Sequence, residues 1–377
     1  MVNVNLIPSK ILKTLAVLPF LLALIFSNSA LASDHGHEEG AAKEFDAGEM
    51  IMHHIQDSHE WHIIGDVALY LPIIAYEPGK GLSVFSSSHL YHDEGRYQGY
   101  KLDHEHLIVV DEMGEPIMVS ELVENEEGQM VEELSHSPVY DLSITKNVLA
   151  LLVSIALLLW IMLAVAKGYK RRAGQAPKGI QAAIEPIIVF IRDDIARPSI
   201  GDKKFEKFMP FLLTIFFFIW INNIMGLIPI IPGGANVTGN IAIPLVLALF
   251  TFVITNINGN KHYWRHIFAM PGIPIPVLII LTPIEIAQIL IRPIVLVIRL
   301  FANIMAGHIG MLVFFSLIFI FGKAGESMIG GYGAAVPSIA FTIFLFFLEL
   351  LVAAIQAYVF TLLSAIYFGM AVHEDHH

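Results

Sequence analysis

Asn147 to Ala166 reads NVLALLVSIALLLWIMLAVA, twenty residues without a charge. Coiled as an α-helix at about 1.5 Å per residue, that run matches the roughly 30 Å hydrocarbon layer of a bilayer. In lipid every backbone N–H and C=O has to be satisfied internally, so a spanning run is a helix or part of a closed barrel. Unbroken apolarity over this length selects the helix. Met209 to Ile231 and Ile241 to Ile257 are further spans, and two longer apolar segments run from about Ile273 to Phe321 and from about Pro337 to Val372. The last two are too long to stand upright in a bilayer and have to tilt or break. A hydrophobic fraction of 55% and a mean hydropathy of +0.66 agree with a multi-pass membrane protein.

The net charge of −12 is segregated. Between Ser33 and Leu142 lie 24 of the 34 acidic residues and 4 of the 22 basic ones. Neither half suggests a nucleic-acid surface. Basic residues instead follow alternate spans: Lys167, Lys170, Arg171 and Arg172 after the first, Lys261 and Arg265 after the third. By the positive-inside rule those ends are cytoplasmic. Gly179 to Ile195 reads as an amphipathic helix on that face. The chain has no cysteine, which excludes disulfides, thiolate metal sites and cysteine nucleophiles.

Residues 1–32 read as a signal peptide: Lys10 and Lys13, an apolar core from Leu15 to Ile25, then Ala30-Leu31-Ala32 as a cleavage signal. Residues 33–141 form an acidic, histidine-rich extracytoplasmic region. Met50 to Ile63 is expected to be a short amphipathic helix, and Asp66 to Val119 a small β-rich insertion broken by Gly and Pro. The region carries 11 of the 17 histidines. Imidazole pairs such as His53, His54, His59 and His62 can share a divalent metal. Exposed histidines on an acidic surface are the simpler reading. The fold class expected is therefore an all-α multi-pass membrane protein of about five transmembrane helices, the last two long and tilted, with a small β-rich extracytoplasmic insertion.

Polar groups inside the apolar segments carry the chemistry. On a helical wheel at about 100° per residue, Arg292, Glu285, Gln288 and Asn303 all fall within about 40° of Arg299. An arginine at mid-bilayer costs between ~2.5 and ~17 kcal/mol, so such groups face a bundle interior, a water-filled cavity or a functional surface. His308 lies on the opposite side of that wheel. Glu349 and Gln356 are a heptad apart on the last segment, with Thr342 a heptad earlier. Carboxylates and imidazoles exchange protons near neutral pH when their surroundings permit. A guanidinium does not, and acts as a fixed positive charge. Glu285 lies about 21 Å before Arg299 along a helix, and His308 about 13.5 Å after it. Titratable groups on both sides of a permanent charge read as a proton relay with a barrier in its middle.

RPIVLVIRLFANIMAGH resembles the signature of subunit a of the rotary F-type ATP synthase. FMPFLLTIFFFIWINNIMGLIP, ANVTGNIAIPLVLAL and LLVAAIQAYVFTLLSAIYFGMA resemble further parts of the same family, as does APKGIQAAIEPIIVFI. The likeness covers residues 142–372, with 373–377 as a cytoplasmic tail. It implies a stator with two offset half-channels to a rotating c-ring. Arg299 matches the family's essential arginine, Asn303 the asparagine one turn on, and Glu285 the acid of the cytoplasmic half-channel. Arg292 matches a position often filled by lysine, and Gln356 the glutamine near the arginine. In many bacterial relatives the position of His308 holds glutamate and that of Glu349 histidine. Their exchange here argues that the two interact. Ala302 and Val295 replace a usual glycine and serine.

The resemblance also implies partners: the c-ring, subunit b of the peripheral stalk, the rest of the F1Fo complex, and H⁺ as the ion, with Na⁺ the alternative because ion choice rests mainly on the ring. The location implied is the bacterial inner membrane, with the N-terminal region outside and the C-terminus cytoplasmic. A non-catalytic subunit of the H⁺-transporting ATP synthase has no catalytic site of its own, and no cofactor is expected. The alternative is an autonomous ion or metal transporter with a histidine-rich extracytoplasmic region.

Overall fold

The computed structural model describes residues 48, 51, 55–64, 67–92, 95–124, 130–228, 234–268, 270, 273–323 and 327–373. The leader expected over residues 1–32, and His53 and His54, lie outside the described residues. The chain divides into two compact units, one of residues 56–151 with 230–235, the other of the remainder.

The first unit is β-rich. Its strands are β1 (Glu60–Ile64), β2 (Val67–Tyr70), β3 (Pro72–Glu77), β4 (Gly81–Ser86), β5 (Arg96–Tyr97), β6 (Tyr100–Asp103), β7 (His106–Val109), β8 (Met118–Glu124), β9 (Met130–His136) and β10 (Tyr140–Asp141). A short helix, α1 (Ser88–His92), follows β4. Pairing is antiparallel: β1 with β2, β8 with β9, the meander β5-β6-β7, and a sheet of order β10-β3-β4. Alternation along β3 and β4 turns Ile73, Ala75 and Phe85 inward, where they pack with Leu90, Tyr100, Leu107 and Val109. The helix expected over Met50 to Ile63 is corrected at its end. Glu60 to Ile64 is strand β1, held in register by Glu60↔Tyr70 and Trp61↔Leu69. Cross-strand partners that a local pattern does not contain override its helical periodicity.

Helices make up the second unit and the end of the first: α2 (Lys146–Arg171), α3 (Ile180–Phe190), α4 (Arg197–Ile200), α5 (Phe205–Leu227), α6 (Ala242–Ile257), α7 (Lys261–Phe268), α8 (Ile275–Gly322) and α9 (Met328–Val372). The unit boundary falls after Leu151, inside α2. A π-helical turn over Ile191–Ala196 joins α3 to α4. Among the described residues, α2, α5, α8 and α9 are long and apolar enough to cross a membrane. The α6–α7 pair, bent by 102°, brings the number to five if counted as one span. At about 1.5 Å per residue α8 and α9 run roughly 70 Å each, more than twice the hydrocarbon thickness. The expected all-α multi-pass architecture with its small β-rich insertion is thus the one observed.

One boundary moves. The glycine-rich stretch Gly322 to Gly333 reads as a linker in sequence, yet α9 starts at Met328, capped by the Ser327 side chain, which accepts from the Gly330 N–H. A Cβ on Gly330 would collide with the Phe321 carbonyl oxygen, and one on Gly322 would lie 3.4 Å from the Gly331 Cα. Gly322, Gly330 and Gly331 permit close approach of the two helices, and helix is compatible with that role. At its far end α9 is clasped. Lys204 Nζ donates to the Val372 carbonyl (2.9 Å), Asn260 N–H donates to the Ala371 carbonyl (2.9 Å), and Gly369 lies against the Ser199 carbonyl.

Candidate functional site: a buried histidine–glutamate pair behind an exposed arginine

Helix α8 buries one side and exposes another. Leu296, Val297, Leu300 and Ile304 are buried. Ile298, Arg299, Ala302, Asn303 and Ala306 are exposed, on an otherwise apolar face. Among the described residues Arg299 has no ion-pair partner. Glu285 and Arg292 are half-buried and Gln288 is exposed. The arginine and asparagine therefore present themselves outward, while the two other charged members of the stripe are only half-exposed. Arg292 lies over the Tyr367 ring, 5.6 Å from its centroid. A cleft beside it is lined by Thr255, Asn256, Tyr263 and Pro293.

His308, on the other side of α8, points to α9. Its Nδ1 lies 3.4 Å from Glu349 Oε1 and 3.2 Å from the Ile304 carbonyl oxygen. The Glu349 side chain is 5% exposed, and both of its carboxyl oxygens are buried without a hydrogen bond. A buried carboxyl without donors is costly unless a neighbour or a water shares its proton. Gly307 explains how Glu349 fits. A Cβ there would strike Glu349 Oε1, so only glycine leaves room for the carboxyl against the α8 backbone.

Nearby, Thr238 Oγ1 donates to Asn223 Oδ1 (2.8 Å), and Asn223 Nδ2 reaches the Ala353 carbonyl of α9 (3.4 Å). Gln356 is buried on α9, one heptad beyond Glu349. The structure thus brings His308 and Glu349 together and turns Arg299 away from them. Gly307 and Thr238 are the members that sequence reasoning missed. Thr238 had a signal in the turn GGANVTGN, whose Asn236 side chain caps the turn by accepting from Gly239 N–H.

The extension holds a separate buried cluster. His59 is 2% exposed, and its Nε2 is 2.9 Å from Asp141 Oδ2. Its Nδ1 is 3.9 Å from Glu105 Oε2, a charge contact and not a hydrogen bond. Tyr91 donates its hydroxyl to the same Glu105 oxygen at 2.7 Å. Burial alone would pull the His59 pKa down, but the bond to Asp141 and both carboxylate charges win and raise it from 6.5 to about 9. Burial opposes the charged forms of Glu105 and Asp141, yet the His59 charge beside both, with the His59 hydrogen bond to Asp141 and the Tyr91 hydroxyl on Glu105, holds them below the usual carboxylate range. Asp57 shows the other outcome. Burial raises its pKa, although it accepts from Thr145 Oγ1 (2.7 Å) and from the Asn147 N–H (2.9 Å) at the start of α2.

A raised histidine pKa stabilises the fold below the unfolded value. The His59 contribution is therefore complete below pH 6.5 and is lost as pH rises to about 9. It amounts to something on the order of 3 kcal/mol. Hydrogen exchange of the β3 and β10 amides in the full-length protein, corrected for intrinsic rates, should accelerate over that window, and His59→Gln should remove the dependence. Equal protection at pH 6.5 and pH 9 would contradict it. Of the other histidines expected near a metal, His62 sits in β1. Among the described residues no three His, Asp or Glu side chains converge as metal ligands.

Comparison with known proteins finds a match to each part. A family model described as ATP synthase A chain matches residues 148–369, and one described as a domain of unknown function (DUF8433) matches residues 50–133. The chain is 43% identical over 242 residues to an ATP synthase subunit a of Chloroherpeton thalassium, covering 63% of this chain and 69% of the relative. It is 44% identical over 247 residues to an ATP synthase subunit a 2 of Chlorobaculum tepidum, covering 63% and 66%. An ATP synthase subunit a of Myxococcus xanthus is 37% identical over 248 residues, covering 63% and 75%. With its membrane helices, its outward arginine and its buried histidine–glutamate pair inside the matched span, the chain belongs to the ATP synthase A chain family.

Proposed function

We infer that the chain is the proton-translocating stator subunit of an F-type ATP synthase, offering two offset half-channels to a rotating c-ring. The observation that carries this reading is Arg299, exposed and without an ion-pair partner among the described residues, on an apolar helix face. A fixed charge in that position needs an acidic partner from another subunit. A ring carboxylate supplies it. As each carboxylic acid passes, the guanidinium favours its ionised form, and the proton leaves toward one side. His308 and Glu349 would deliver protons from the outer side, with Asn223, Thr238 and Gln356 lining the way. Glu285 would receive them on the cytoplasmic side, with Arg292 placed between it and Arg299. The family match over residues 148–369 leaves the autonomous-transporter alternative without support.

The ion proposed is H⁺. Imidazole binds a proton well, and sodium prefers an all-oxygen shell. The topology follows from the basic loops: residues 33–141 outside after removal of a leader over 1–32, the span domain over 142–372, and the tail over 373–377 in the cytoplasm. The peripheral-stalk subunit b is a further expected neighbour. Because the chain has no cysteine, Ile298→Cys and Ala302→Cys can each carry a maleimide photo-crosslinker in the assembled complex. Irradiation should add the mass of one ring subunit. The same reagent on Met113→Cys should not. ATP-driven acidification of vesicles should be undiminished when sodium is removed. Cross-links to lipid alone from both α8 positions would overturn the ring assignment, and a sodium requirement would overturn the ion.

A further inference from the structure

The sheet β10-β3-β4 has two apolar faces, and only one is used by the core. Ile73, Ala75 and Phe85 point inward. The other face is defined by register. Tyr140 pairs with Tyr76, and Tyr76 with Leu82. Ile74 pairs with Val84, and Pro72 with Ser86. Beyond β10 the ladder continues, as Leu142 N–H donates to the Ile74 carbonyl (2.8 Å) and Ile144 N–H to the Pro72 carbonyl (3.2 Å). Three rows of three result: Tyr140, Tyr76, Leu82; then Leu142, Ile74, Val84; then Ile144, Pro72, Ser86. Eight of these nine positions are apolar and none is charged, although residues 33–142 hold 24 acidic side chains. Leu82 is 64% exposed, Val84 60%, Tyr140 58% and Leu142 53%. An exposed, continuous apolar face of this kind marks an interaction surface.

What covers it follows from chain continuity. Ile144 in the third row is two residues before α2, whose uncharged run begins at Asn147. At about 3.4 Å per residue, the first row is at most roughly 20 Å from the start of that span. Ile144 of the third row is three residues from that uncharged run, at most roughly 10 Å from it and so beside the headgroup zone, which adds roughly 5–7 Å to each side of the hydrocarbon. Tyr76 and Tyr140 stand side by side at the outer row, with ring centroids 6.2 Å apart. Tyrosine is enriched at membrane–water interfaces because its ring is apolar and its hydroxyl wet, so the pair suits a face laid on one. A face without charge has no means to select an acidic or basic protein partner, whereas a zwitterionic lipid surface asks only for buried apolar area.

We propose that the outer face of the β10-β3-β4 sheet lies flat on the outer leaflet of the membrane and is a lipid-binding surface of the extension. The proposal rests on α2 crossing the bilayer and not on coupling to the ring, so it survives or fails independently of proton translocation. The absence of cysteine from this chain, in a complex whose other subunits are also made free of cysteine, permits the test. Leu82→Cys, Val84→Cys and Tyr76→Cys read the face at three positions, so that loss of one variant in assembly leaves two. Met113→Cys, at a site 86% exposed on a turn, is the reference. Each is labelled with bimane in the complete complex and reconstituted into phosphatidylcholine vesicles. Nitroxide-bearing phosphatidylcholine, with the spin label near the headgroup, should quench positions 76, 82 and 84 at least about 3-fold more than position 113. Aqueous iodide should show the opposite order, and both should be indifferent to added salt. Iodide quenching at 82 and 84 equal to that at 113 would mean a face in water. Protection from both quenchers would mean a face covered by protein. Either result overturns the proposal.

Discussion

Arg299→Ala is expected to abolish ATP-driven proton pumping by vesicles carrying the complex, lowering it at least about 100-fold, or roughly 2.7 kcal/mol of coupling. The reason is positional. Arg299 stands exposed on the apolar face of α8, away from the His308–Glu349 pair. With an uncharged side chain there, a protonated ring carboxylate can pass from one half-channel to the other without giving up its proton. Passive leak through complexes stripped of their soluble sector should therefore rise while pumping falls. Arg299→Lys should recover little. It restores a charge, but one that can itself lose a proton and that lacks the planar fork a carboxylate fits. A fluorescent pH-gradient dye reports all three. Pumping by Arg299→Ala at half the parent rate or better would remove the arginine from the mechanism.

The second large effect concerns the buried pair. His308→Ala and Glu349→Ala should each slow pumping by about 10²-fold, the lower range for removing a positioned acid or base. The exchange variant, His308→Glu with Glu349→His, should recover most of that loss, because one imidazole and one carboxyl again face each other across the same 3.4 Å gap. Such recovery is the non-additivity expected of two side chains acting as a unit. Gly307→Val provides the contrast. Its side chain would occupy the space of the Glu349 carboxyl, so the loss should be as large and the exchange should not repair it. Rates of the exchange variant no better than those of the single variants would show that the two act separately.

Much of this site is legible in the sequence, and the reason is the bilayer. Lipid forbids irregular backbone and unexplained charge, so spans, basic ends and the stripe through Arg299 stand out against a uniform background. The opposition of His308 to that stripe also follows from periodicity alone. Other parts depend on contacts between distant segments. Gly307 carries no side chain to signal that a carboxyl from α9 fills its place. The glycines from Gly322 to Gly333 look like a flexible joint until the second helix is seen packed against the first. In the extension, Asp141 joins His59 across 82 positions, and β10 returns to pair with β3 after six intervening strands. No local pattern contains such partners.

The clasp at the end of α9 has a mechanical consequence. A stator feels an equal and opposite push each time the rotor advances. A roughly 70 Å helix hairpin held only by lipid would bend under that load and return the work as heat. Lys204 on the Val372 carbonyl, Asn260 on the Ala371 carbonyl and Gly369 against Ser199 tie the free end of α9 to the helices ahead of it. Force on the hairpin is thereby shared across the bundle. In a subunit that takes up the reaction to a turning ring, these ties would keep the end of α9 from bending independently of the helices beside it.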